Sequence, residues 1–205
     1  NALKGQGKLD EAISNYKKAI IIKPNYADAF NNIGNTFKAQ GKIEEAISSY
    51  KKAITIKPDF IGAFNNIGNS FKDQGKLEEA VESYNHALRI KPDYVDAKTN
   101  LAILLFESGR VKEATKLFTM DDSSKSQSYL LRCFYEQNEK SNFYNQLDYL
   151  INRGENNAIL GSYIYRSHLR YGDNKPNPFC NDPLKYVLKT DLTKEYDFDN
   201  TFIKG

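Results

Sequence analysis

Apolar residues recur at helical spacing through the first 120 residues, and the pattern then repeats itself. Between Ala27 and Gln40, the residues Ala29, Phe30, Ile33 and Phe37 fall on one face of a helix. Gly41-Lys42 interrupts it, because glycine enters turn conformations that other residues avoid. A second stripe, Ala46, Ile47, Tyr50, Ala53 and Ile54, predicts a helix from Ile43 to Ile56. Pro58 stops it, since proline cannot continue the hydrogen-bond ladder. Glu44 and Glu45 in its first turn, with Lys51, Lys52 and Lys57 toward its end, complement the helix dipole.

This two-helix pattern returns every 34 residues. Gly7, Gly41, Gly75 and Gly109 keep the step, as do Ala12, Ala46, Ala80 and Ala114, then Tyr16, Tyr50, Tyr84 and Phe118, and then Pro24, Pro58 and Pro92. Between Ala27–Phe60 and Ile61–Tyr94, 22 of 34 positions are identical, which places the period beyond chance. Gly34 and Ala46 are expected where the two helices of a unit cross, and Ala53 where one unit meets the next. One hairpin cannot bury its own apolar face, so the units are expected to stack into a solenoid.

After Met120 the period is lost and nine of the 14 tyrosines are concentrated there. Asp121-Asp122-Ser123-Ser124 is a helix-start signal for a helix over about Lys125–Gln137, striped by Tyr129, Leu130, Cys133 and Phe134. Further helices are expected from about Ser141 to Asn152, through Phe143, Leu147, Leu150 and Ile151, and from Asn156 to Tyr171, through Ile159, Leu160, Tyr163 and Ile164. Asp173–Phe179 reads as a turn-rich linker, Leu184–Leu188 as a short element, and Thr193–Gly205 as the start of an unfinished one. The expected organisation is a repeat solenoid over 1–128, with a partial unit 1–26, repeats 27–60 and 61–94 and a degenerate one 95–128. A divergent hairpin and closing helix over 129–171 follow, then 172–205 as linker and the beginning of a downstream domain.

Composition narrows the function classes. The net charge is +3, with 18 basic and 14 acidic residues up to Met120 and 11 and 12 after it, so neither half is the basic domain that nucleic-acid binding demands. No apolar run approaches membrane-spanning length. Cys133 and Cys180 lack metal spacing and suit a reducing compartment, so the expected location is cytoplasmic. No Gly-rich phosphate loop, Ser–His–Asp signature or zinc spacing is present, and His86 and His168 stand apart from other catalytic types, so no catalytic residue, metal or cofactor is expected within the sequence.

The set Phe30, Ile33-Gly34, Phe37, Gly41, Ala46, Tyr50, Ala53 and Pro58 resembles the tetratricopeptide repeat, the 34-residue helix–turn–helix. That resemblance implies an all-α, right-handed superhelical solenoid whose first helices line a concave groove and whose second helices face outward. With Ala27 as position 1, the groove positions 5, 6 and 9 hold Asn31, Asn32 and Asn35, then Asn65, Asn66 and Asn69, then Thr99, Asn100 and Ile103. A primary amide offers one acceptor and two donors, matching a peptide unit. The repeats are similar to those of O-linked N-acetylglucosamine transferases, whose asparagine ladder at position 6 is matched by Asn32, Asn66 and Asn100. The resemblance therefore implies a protein-interaction module holding an extended peptide or partner segment, with no nucleic-acid or membrane partner. The carboxylate-clamp alternative needs Lys or Arg at positions 2 and 6, and position 2 is Asp28, Gly62 and Asp96. The same amides also read as solvated positions copied by a recent duplication.

Tyr163–Gly205, through Arg166–Gly172, Asn177–Cys180 and Tyr186–Leu192, resembles a connector that joins such repeats to a 2-oxoglutarate/iron(II) oxygenase domain. This implies an alternative in which the module recruits substrate for an oxygenase lying beyond residue 205, while the likeness of the repeats to those of the transferases, and not the connector, implies a glycosyltransferase there. The oxygenase iron triad begins His-x-Asp, which neither His86 nor His168 makes.

Overall fold

The computed structural model describes residues 2–155 and 158–172. The linker, the Leu184–Leu188 element, the tail, Cys180 and most of the connector motif lie outside the described residues. Ten helices and no strand make up the described chain. They are α1 (Ala2–Ile22), α2 (Ala27–Ala39), α3 (Ile43–Ile56), α4 (Ile61–Asp73), α5 (Leu77–Ile90), α6 (Val95–Glu107), α7 (Val111–Phe118), α8 (Ser124–Glu136), α9 (Lys140–Asn152) and α10 (Ala158–Tyr171). Packing divides the chain into two compact units between Leu117 and Phe118.

In the first unit α2 packs on α3 and α4 on α5, and the stack continues through α1 on α2, α3 on α4 and α5 on α6. The turn at Gly41 shows why the sequence needs a glycine there. Its φ is 75°, its N–H donates to Lys38 O at 2.9 Å, and the Lys42 N–H reaches back to Phe37 O at 2.9 Å. This six-to-one closure satisfies carbonyls left over at the end of α2 and requires a left-handed residue between them. Gly75 repeats the arrangement with Lys72 O and Phe71 O.

The core of the stack is built from small residues opposed to tyrosines. Ala46, Tyr50, Ala53 and Ala63 are fully buried and pack with Ile67, flanked by Phe30, Phe37, Phe60 and Phe71. Ala53 meets Ala63 and Ile67 of the next unit, the role expected of it. A Cβ built on Gly34 would lie 2.4 Å from the Tyr50 ring, and one on Gly68 would lie 2.6 Å from the Tyr84 ring. Gly34→Ala is therefore expected to destabilise the protein. Alanine gains about 1 kcal/mol of helix propensity over glycine, but forcing a buried ring aside costs about 1–3 kcal/mol. A lower urea midpoint checks it, and a higher one would show that the ring moves freely.

One turn in the series is not made. Gly7 lies inside α1, which runs unbroken to Ile22, so the glycine that ends a helix in the later repeats is carried through here.

In the second unit, α8 begins at Ser123, whose side chain accepts from the Ser126 N–H. The core joins Leu131, Phe143, Leu147, Leu150, Leu160, Tyr163 and Ile164. Leu131, absent from the expected stripe, is fully buried, whereas Tyr129 and Phe134 are half-buried. Leu130 and Cys133 of the expected stripe are buried, so the buried face keeps its centre and widens toward Leu131. The α8–α9 turn uses Asn138 at φ 58° with Glu139 N–H on Phe134 O at 2.9 Å, an asparagine doing what glycine does in the repeats.

Candidate functional site

The asparagines project from α2, α4 and α6, one helix per repeat, and the structure sorts them into three roles. Position 9 is tied to the second helix of its own repeat. The Tyr50 hydroxyl donates to Asn35 Oδ1 at 2.9 Å, and the Tyr84 hydroxyl donates to Asn69 Oδ1 at 2.7 Å. Burial pushes the Tyr50 phenol up to about 12. Burial first, then the carboxylates of Asp73 and Glu107, raises Tyr84 further. Both phenols are protonated donors at neutral pH, which fixes the carbonyl side of each amide toward them. At the third register Phe118 and Ile103 stand in place of the tyrosine and asparagine, and neither carries the hydrogen-bonding group.

Positions 5 and 6 work across the repeat boundary. Asn66 Nδ2 donates to Asn31 Oδ1 at 3.0 Å and to Asn35 Oδ1 at 3.1 Å. Asn100 Nδ2 donates to Asn65 Oδ1 at 3.1 Å. Asn65 is buried, Asn31, Asn32, Asn66, Asn69 and Asn100 are half-buried, and Asn35 is exposed. Two hydrogens on Asn66 thus meet two carbonyls of the preceding repeat, leaving its Oδ1 as the group still able to bond. Among the described residues nothing donates to Asn66 Oδ1 or Asn100 Oδ1, and the Asn32 side chain has no hydrogen-bond partner.

The surrounding positions add further cross-repeat ties. Lys38 pairs with Asp73 at 3.1 Å and Lys72 with Glu107 at 2.7 Å, each lysine on one first helix and its acid on the next. Gln40 Nε2 donates to Asp10 and Gln74 Nε2 to Glu44, again one repeat apart. The exposed ion pairs contribute about 0–1 kcal/mol each, so their use is in fixing register more than in strength. In the sequence Tyr50 and Tyr84 stand as members of the apolar stripes. Their shared period with Asn35 and Asn69 was the available sign that hydroxyl and amide belong together.

A model of the TPR repeat matches residues 1–41, 34–75 and 68–109, more than half of the chain. The chain belongs to the tetratricopeptide-repeat family. A comparison with curated protein sequences gave no match. Among solved structures, the TPR chain is similar to Pseudomonas aeruginosa PilF, with a TM-score of 0.72 at 19% identity, covering 95% of this chain and 87% of that one. It is similar to YrrB, described as a TPR protein with an unusual peptide-binding site, with a TM-score of 0.67 at 16% identity and coverages of 92% and 94%. MamA gives a TM-score of 0.65 at 18% identity, over 74% of this chain and 92% of that one. At such identities the likeness concerns the fold. The TPR fold is consistent with a protein-interaction module, and no helix among the described residues is long and apolar enough to cross a membrane.

Proposed function

We propose that the first TPR unit holds an extended peptide segment along the faces of α2, α4 and α6, with Asn32, Asn66 and Asn100 as the contacting rungs. The observation that carries this reading is the cross-repeat ladder: both donors of Asn66 and one of Asn100 are committed to the preceding repeat, which orients each amide and leaves its Oδ1 unbonded. Preorganised acceptors favour a partner that presents main-chain N–H groups, since main-chain contacts make few demands on side-chain sequence. Asn31, Asn35, Asn65 and Asn69 support these rungs by accepting from them or from Tyr50 and Tyr84. Asn32 differs, because its amide is uncommitted and can both donate and accept.

Asn32 is accordingly the cleanest probe. Asn32→Ala removes no internal bond, so the unfolding midpoint is expected to stay unchanged. Affinity for a peptide selected from a display library is expected to weaken by about 1–3 kcal/mol, the cost of leaving bonded polar groups unpaired. Calorimetry on the selected peptide with both proteins reads the difference, and unchanged affinity for a groove-bound peptide would remove Asn32 from the site.

A further inference from the structure

Two register-equivalent cavities in the first unit differ in a way that names a ligand for one of them. The first, about 550 Å³, lies among α3, α4 and α5, floored by Ile54, Phe64, Ile67 and Phe71 and edged by Glu79 and Glu82. The second, about 290 Å³, lies one repeat later, with Leu101 and Leu105 at the positions of Ile67 and Phe71 and Glu113 at that of Glu79. In the second cavity Arg110 closes on Glu113 through two bonds, Nε and one terminal nitrogen each donating at 2.8 Å to separate carboxylate oxygens. In the first, the residue at the Arg110 position is Lys76, and its ammonium sits over the Phe71 ring at 5.9 Å. Glu79 has no ion-pair partner among the described residues. Glu82 is held only loosely by His86, at 3.8 Å, while the His86 ring stacks on Phe64 at 5.2 Å.

The linings also carry opposite charge. Glu79 and Glu82 outnumber Lys51 in the first cavity, whereas Arg110 and Lys116 outweigh Glu113 in the second. We infer that the cavity between α3 and α5 docks a partner segment carrying an arginine beside a large apolar side chain. The guanidinium makes with Glu79 the two-bond pair that Arg110 makes with Glu113, and the apolar side chain covers Phe64, Phe71, Ile54 and Ile67. The planar fork matches a carboxylate in a way that an ammonium does not, and the volume lies in the range of ligand-binding cavities. No ladder asparagine lines this cavity, so the inference stands apart from the groove reading.

The test uses the full ¹⁵N-labelled chain titrated with N-acetyl-phenylalanyl-arginine amide and with its citrulline counterpart, which keeps the shape and removes the charge. Saturable shifts are expected at Phe64, Phe71, Ser83 and His86, with the arginine peptide binding at least fivefold more tightly. Lys76→Arg supplies the guanidinium from within and is expected to abolish that preference, as is Glu79→Gln. Equal binding of the two peptides, shifts centred on the asparagines of α2, α4 and α6, no saturable shift, or an undiminished preference in Lys76→Arg would each overturn the inference.

Discussion

Tyr84→Ala is expected to cost about 3–5 kcal/mol of stability, the range for emptying a buried aromatic site. The ring is fully buried, fills the space above Gly68, and its hydroxyl donates to Asn69. Alanine leaves a cavity that Gly68 cannot refill, having no side chain, and takes the donor from Asn69 Oδ1. Tyr84→Phe separates the two effects: the cavity stays filled and only the hydrogen bond is lost, for about 1 kcal/mol. Amide exchange in α4 and α5 reports the loss locally, which matters because two compact units need not unfold as one transition. Equal protection in Tyr84→Ala and the parent protein would contradict the packing described.

Phe143→Ala is expected to be comparably severe in the second unit, again about 3–5 kcal/mol. Phe143 is fully buried and stands in the core with Leu131, Leu147 and Leu150, and its ring contacts those of Tyr135, Tyr144 and Tyr171. Removing it takes one member from several aromatic pairs together. Phe143→Leu keeps much of the volume and is expected to cost less than half as much. Faster exchange throughout α8–α10 in the alanine variant checks the prediction, and a change confined to the ends of α9 would oppose it.

The repeats were legible because each boundary is set by local chemistry. Gly41 and Gly75 take the left-handed turn, Pro58 and Pro92 forbid continuation, and α3 runs over the span that its apolar stripe predicts. Gly34 was legible as a crossing point because a small residue between aromatics on a helix face has few other uses. The second unit was less so. Tyr129 looks more core-like than Leu131, yet Leu131 is the fully buried one, because a tyrosine can keep its polar edge in water. Asn138 gave no turn signal as strong as a glycine. The ladder was legible as a row and illegible as a network: Asn66 bonds Asn31 from 35 residues away, a relation created only when the repeats stack. That is why Asn66 and Asn100 read as free donor–acceptor groups in the sequence, and as oriented acceptors in the fold.

The direction of those bonds has a consequence for how such a protein can lengthen. The inter-repeat ties run both ways, with Asn66 reaching back to Asn31 and Asn35 and Gln74 to Glu44, while Lys38 reaches forward to Asp73 and Lys72 to Glu107. A 34-residue segment cut anywhere in the period and copied in frame brings one half of each tie on either side of the new join. The insertion is satisfied as soon as it is made, so duplication of Ile61–Tyr94 needs no compensating substitution. The third register weakens that freedom: with Thr99 and Ile103 in place of the acceptor amides, a further copy placed after it finds one hydroxyl where the earlier repeats offer two amide carbonyls. Copying is thereby favoured within Ala27–Tyr94, which fits the 22 identities of 34 between the two repeats there.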